Sequence, residues 1–104
     1  DVDAALAEAA SKKQPCFLKF ETDWCMPCKQ MTTLVFTAQD VVTASDGILC
    51  IIIDGDQRKD LVEKYAVKGY PTGVLLNGDG KEITRYVGYQ SVKATTAFLA
   101  KGKK

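Results

Sequence analysis

The chain has 104 residues, 46% hydrophobic and 26% charged, with 14 Lys plus Arg against 13 Asp plus Glu. That composition suits one globular domain with a useful core, and a net charge of +1 offers no electrostatic footprint for nucleic acid or an anionic membrane surface. The absence of histidine excludes Ser–His–Asp and Cys–His catalysis and His-ligated metal sites, so the four cysteines, at 16, 25, 28 and 50, are the first place to look for chemistry.

Residues 1–13 read as an amphipathic helix. Val2, Leu6, Ala9 and Ala10 fall at helical spacing, and Asp1 and Asp3 favour the start. A first residue other than Met fits either a mature form or a shortened chain. Gln14-Pro15 stops the helix. Residues 16–20, mostly apolar, read as a buried strand. Trp24 to Cys28 break the pattern, and Pro27 suits the first turn of the next helix, which runs through Met31, Leu34 and Val35. A second helical piece near residues 39–43 follows Thr37, a candidate cap.

Ile48 to Ile53 is the clearest strand, rich in β-branched residues and apolar on both faces. It is also the longest apolar run, far short of the roughly 20 residues a membrane helix needs. Residues 60–66 form a short helix. Gly69-Tyr70-Pro71-Thr72 is a loop leading into a strand at 73–76. Asn77-Gly78-Asp79-Gly80 is a strong hairpin signal, and 83–87 is the returning strand. Ser91 caps a last helix through Leu99. The lysines at 101, 103 and 104 read as a solvated tail. The order is α-β-α-β-α-β-β-α within one domain, residues 1–104. Such alternation implies an α/β fold with a parallel sheet core and an antiparallel edge.

The chemistry concentrates in Trp24-Cys25-Met26-Pro27-Cys28-Lys29. Cys25 falls at a helix N-cap, beside unpaired N–H groups and the positive end of the dipole, which favour the thiolate. Cys28 lies one turn on, within disulfide reach. Such a pair attacks a disulfide in another protein and then resolves the mixed disulfide internally. A zinc site would need a second Cys or His pair, and only the isolated Cys16 and Cys50 remain. A structural disulfide is the other alternative. A partly exposed position at a helix start argues against it.

Trp-Cys-x-Pro-Cys-Lys after an apolar strand, with Tyr70-Pro71-Thr72 before another, resembles the thioredoxin superfamily over nearly the whole chain. The stretch Phe17 to Val42, with Asp23-Trp24-Cys25 and Val35-Phe36-Thr37, is most similar to one branch, the C-terminal thioredoxin-like domain of bacterial DsbD and small exported relatives. The resemblance implies a thioredoxin fold without an extra N-terminal strand. It also implies a thiol–disulfide oxidoreductase with no bound cofactor. Its partners would be protein disulfides or dithiols and an upstream dithiol donor, and it would work as a monomer in an exported, periplasmic setting. Cys25 would be the nucleophile and Cys28 the resolving thiol. The Tyr70–Pro71 bond would be cis and face the pair, and Trp24, Met26, Pro27, Tyr70, Pro71 and Thr72 would shape the groove where a substrate adds as a strand. Trp24 would serve as both groove wall and core aromatic. Met26-Pro27 resembles the Gly-Pro of thioredoxin and leans the direction towards reduction. The rival is a redox-inactive binding module, or an oxidase or isomerase in direction.

One position departs from the family pattern. The Asp usual six residues before the first Cys is Lys19 here. Lys19 favours a thiolate nearby and a more oxidising pair. Glu21, on the same strand face, is its natural partner and a candidate proton acceptor. A solvated surface pair is the equal alternative. By family register Cys50 lies beside Lys19, and Cys16 lies on the opposite face. Both are expected to be unbonded, buried thiols on the two central strands.

Overall fold

The computed structural model describes residues 1–103; Lys104, read above as part of the tail, lies outside them. Helix α1 spans Val2–Lys12, with the Asp1 carboxylate accepting from the Ala4 N–H at 3.1 Å as its cap. Strand β1 spans Cys16–Glu21, α2 Met26–Leu34, α3 Gln39–Ala44 and β2 Leu49–Asp54. Then come α4 Lys59–Lys64, β3 Thr72–Leu76, β4 Glu82–Val87 and α5 Val92–Ala100, closed by a 3₁₀ turn at Lys101–Lys103. The expected order holds, with the second helical piece standing as α3. Thr37 does not cap it: the N-cap is Ala38 without a side-chain bond, and the Thr37 hydroxyl donates back to the Thr33 carbonyl at 2.7 Å.

The sheet is four-stranded and mixed, in the order β2-β1-β3-β4. β1 and β2 are parallel, joined through α2 and α3. β3 runs antiparallel to β1, and β4 antiparallel to β3. The expected parallel core is therefore one strand pair. The connection through α4 returns β3 on the far side of β1, leaving β2 as an edge.

Alternation along β1 divides the core. Cys16, Leu18 and Phe20 pack with Ile51, Ile53 and Val74 on the α1 and α4 side. Phe17 faces the other way, into a cluster with Met31, Val35, Tyr86, Phe98 and Leu99. That same face carries Lys19 and then Glu21 towards the C-terminal end of the strand. β2 is buried on one face only: Ile51 and Ile53 are inside, while Cys50 and Ile52 are exposed. An unbroken apolar run conceals that alternation.

The hairpin forms as the sequence suggests. The Asn77 side-chain oxygen accepts from the Asp79 and Lys81 N–H groups, and Gly80 takes φ +82°, a left-handed conformation that glycine adopts without a side-chain clash. Ser91 caps α5, accepting from the Ala94 N–H at 3.1 Å. The tail is partly tied down, since the Lys103 ammonium donates to the Thr43 carbonyl and Gly102 packs on Ile48 and Leu75. Among the described residues, no helix is long and apolar enough to cross a membrane.

Candidate active site

β1 ends at Glu21, and the chain turns through residues 22–24 into α2. Cys25 is extended (φ −86°, ψ 102°) and occupies the N-cap of α2, with Pro27 in the first turn. Its sulfur accepts the Cys28 N–H at 3.2 Å. Cys25 and Cys28 are joined by a disulfide, their Cα atoms 5.3 Å apart. The local sequence explains this geometry. Proline at the helix start needs no hydrogen-bond partner for its nitrogen, and a spacing of three brings the second sulfur one turn above the first. When the bond opens, the N–H and the helix dipole favour charge on the Cys25 sulfur.

Neither sulfur is open to solvent in the paired state: each cysteine is 3% exposed. This corrects the expected partial exposure, since Trp24, Met26 and Pro27 stand out around the pair while the thiols sit beneath. Trp24 is 67% exposed and contributes nothing to the core. Of its two expected roles, only that of a wall remains. Its indole N–H donates to the Asp56 carboxylate at 2.9 Å. Its ring meets Tyr70 edge-on, with centroids 5.8 Å apart.

The Tyr70–Pro71 bond is cis. Pro71 is buried, and its carbonyl accepts from the Gly88 N–H at 2.8 Å, which pins the turn to the end of β4. The Thr72 hydroxyl donates to the Gly69 carbonyl at 2.6 Å, closing the loop below. Pro71 and Cys28 line one narrow cleft together with Lys19, Glu21, Phe36 and Tyr86. Its volume of about 10 Å³ is the room of one water at most. The residues named by the two motifs thus meet on one surface, although 42 positions separate Cys28 from Tyr70 in the chain.

Lys19 is half-buried, and its ammonium lies 3.9 Å from the centre of the Phe36 ring. Burial lowers its pKa, against the opposing pull of Glu21 and the Cys50 thiol. Glu21 is pushed up by burial; Lys19 draws it down, while Asp54 and Asp23 add to the rise. Among the described residues, Lys19 and Glu21 are not within the 4.0 Å of an ion pair, so the aromatic ring is the direct neighbour of the ammonium. Both groups are partly buried, and both line the cleft that Cys28 also lines.

Cys16 and Cys50 are unbonded. Cys16 is 2% exposed, and burial raises its pKa to about 11. Cys50 stands on the edge strand as an exposed residue, not in the core. Its sulfur nevertheless turns into a groove with Phe17, Lys19 and Val41; burial there raises its pKa, and Lys19 opposes the rise. Cys50 does lie near Lys19, and Cys16 on the opposite face. Among the described residues, no group of three or more His, Cys, Asp or Glu could hold a metal ion.

A thioredoxin-like domain model matches residues 2–103. This chain belongs to the thioredoxin-like family. It is 32% identical over 105 residues to the thiol:disulfide interchange protein DsbD of Klebsiella pneumoniae, covering 95% of this chain and 17% of that protein. It is 31% identical over 96 residues to protein disulfide isomerase-like 2-2 of rice, covering 83% of this chain and 26% of that one. The chain thus spans about a sixth to a quarter of the length of these curated relatives. Among solved structures, a thioredoxin from Thermus thermophilus superposes with a TM-score of 0.82 at 24% identity, over 93% of this chain and 79% of that one. The oxidised C-terminal domain of DsbD from Neisseria meningitidis gives 0.79 at 20%, over 98% and 96%. These likenesses establish the thioredoxin fold.

Asp56 and Gly55 do not stand out in the sequence as site residues. Asp54-Gly55-Asp56 reads locally only as a turn, and its proximity to Trp24 depends on β1 and β2 being parallel neighbours.

Proposed function

We propose that this domain is a thiol–disulfide oxidoreductase, exchanging its Cys25–Cys28 pair with cysteines of protein substrates and working as a reductase. The observation that carries the reading is the disulfide at the N-terminus of α2, sharing a cleft with Pro71. Cys25 is the nucleophile, because its sulfur receives the N–H at the helix start. Its thiolate attacks a substrate disulfide, forming the Cys25–substrate S–S bond and expelling one substrate thiolate. Cys28 then loses its proton and attacks the Cys25 sulfur. The internal disulfide forms, the mixed one breaks, and two electrons have passed to the substrate.

The Cys28 proton needs an acceptor. Glu21 is the carboxylate of the cleft that Cys28 lines, and this places it to take the proton directly or through a bridging water. Tyr86 is unsuited, since burial pushes its phenol well above the ordinary range. Lys19 tunes the site by stabilising both carboxylate and thiolate. Trp24, Met26, Pro27, Tyr70, Pro71 and Thr72 form the groove, where an extended substrate segment lies beside the Tyr70–Pro71 turn. The domain acts as a monomer, takes electrons from another dithiol protein and works in an exported, oxidising setting. The similarity to DsbD and the suitability of disulfides to such compartments support that location.

Insulin reduction with dithiothreitol as donor tests the activity. Turnover by the wild type that vanishes in Cys25→Ser supports it, and equal rates for the two proteins refute it. The potential of the pair decides direction: about −270 mV marks a reductase and about −120 mV an oxidant.

A further inference from the structure

Lys19 is a half-buried cation with no carboxylate at ion-pair distance among the described residues. Burial works against its charge. The group in direct contact with that charge is an aromatic ring, since the ammonium stands 3.9 Å from the centre of Phe36. The face of such a ring is the negative part of its quadrupole, and its pull on a cation grows as water is excluded. The ring is held on two sides. The Phe36 N–H donates to the Met31 carbonyl at 2.9 Å, as does the Val35 N–H, so the chain is tied to α2 as it leaves the helix. The ring also packs on Phe17, with centroids 5.9 Å apart, and Phe17 shares the face of β1 that carries Lys19. Lys19 and Phe36 together form the partition between two recesses. Each lines both the cleft of Cys28 and Pro71 and the groove of Cys50.

A lysine stem is long and flexible, and left to itself it carries its charge out to water. Backbone and packing fix the Phe36 ring, and the ring fixes the ammonium. We propose that Phe36 is a positioning residue that holds the Lys19 ammonium inside the cleft, where the charge favours the reduced form of the Cys25–Cys28 pair and makes the pair more oxidising than it is without the ring. This rests on the oxidoreductase reading above and adds a residue that controls the potential. The disulfide is neutral, whereas the reduced pair carries thiolate charge at the start of α2, so the ammonium attracts the reduced form alone. Phe36 bears no charge and takes no part in the exchange; it acts through Lys19.

The test equilibrates the full chain with glutathione, where two glutathione thiols reduce the Cys25–Cys28 disulfide to the dithiol and form one glutathione disulfide. Wild type, Phe36→Leu, Lys19→Met and the F36L/K19M double variant make a cycle. Leucine keeps an apolar side chain against Phe17 but has no aromatic face. In F36L the equilibrium moves about 2- to 5-fold towards the protein disulfide, the range of a cation–ring contact at a partly exposed site. With Lys19 already replaced by Met, the same substitution moves it by less than about 1.5-fold, because the charge through which the ring acts is gone. Any loss of packing occurs in both backgrounds and cancels in the cycle. Phe36→Tyr keeps the ring face and the wild-type equilibrium. Equal shifts by F36L with and without Lys19 overturn the proposal, as does an F36Y that behaves like F36L. If neither glutathione nor dithiothreitol reduces the wild-type pair, the oxidoreductase reading fails first and the proposal falls with it. A wild type that equilibrates beside an F36L of unchanged equilibrium overturns the proposal alone.

Discussion

Four cysteines occupy this small fold, and they divide into two pairs with opposite fates. Cys25 and Cys28 lie one helical turn apart and are joined, and the Cys25 sulfur accepts the Cys28 N–H. Cys16 and Cys50 belong to neighbouring parallel strands, yet they remain apart. Cys16 pairs in register with Leu49, not with Cys50, so the two side chains leave opposite faces of the sheet. Helical periodicity unites one pair and strand periodicity separates the other. Environment then sets reactivity: a helix N-terminus favours thiolate, whereas the apolar face of β1 forbids it.

The largest expected effect tests that contrast at the nucleophile. Cys25→Ser lowers insulin reduction by about 10³-fold or more, as removal of a covalent nucleophile does elsewhere. A Cys16→Ala/Cys50→Ser double variant keeps most of the wild-type rate. Comparable losses in the two proteins would erase the distinction between the pairs.

The next effect concerns stability. Burial lifts the Cys16 thiol from 9.0 to about 11 in the folded protein. The folded state therefore holds this proton more tightly than the unfolded chain. The resulting stability is fully present below pH 9 and disappears as the pH rises through 11. Two units correspond to on the order of 2–3 kcal/mol. Urea unfolding midpoints at pH 8 and pH 11 measure it, and Cys16→Ala removes this part of the pH dependence. A decline of equal size in C16A would assign the alkaline loss to other groups.

How much of this was legible in the sequence follows from how local each feature is. The redox motif, Pro71, the Asn77–Gly80 hairpin and the Ser91 cap each depend on a few adjacent residues, and each stands as expected. The direction of β3, the edge position of β2 and the exposure of Cys50 depend on which strands neighbour one another. No run of apolar residues encodes that. Ile48 to Ile53 looks buried on both faces because Cys50 and Ile52 are as apolar as the residues between them. Trp24 is legible only in part because a large aromatic usually fills a core, and the polar partner of its indole lies 32 residues away.

The third effect lies on the working side of the comparison. Glu21→Gln slows resolution of the mixed disulfide by about tenfold at neutral pH, below the usual range for general-base catalysis because water can replace the carboxylate. Burial raises the Glu21 pKa, so the wild-type rate climbs through a midpoint above that of an ordinary Glu. In E21Q this limb is missing, and the rate climbs only where Cys28 ionises by itself. Stopped-flow pH profiles separate the two cases, and superimposable curves would remove Glu21 from the proton path.

The smallest effect probes a residue that one member of each pair has as a neighbour. Lys19 lines the cleft of Cys28 on one side and the groove of Cys50 on the other. Its ammonium opposes the burial that raises the Cys50 pKa, so removing the charge drives that pKa higher still and leaves less thiolate at pH 8. Lys19→Met, which keeps the apolar stem against Phe36, therefore slows alkylation of Cys50 by N-ethylmaleimide a few-fold, the range of a screened interaction at a partly exposed site. In the oxidised wild type, Cys50 reacts before Cys16, since one is on the edge and the other is 2% exposed. Peptide mapping after timed alkylation reads both rates in one experiment. Faster labelling of Cys50 in K19M would show that Lys19 shields this thiol sterically and does not activate it. Lys19 would then act on the redox pair alone, and the charge that replaces the family's carboxylate would have no second client in the sheet.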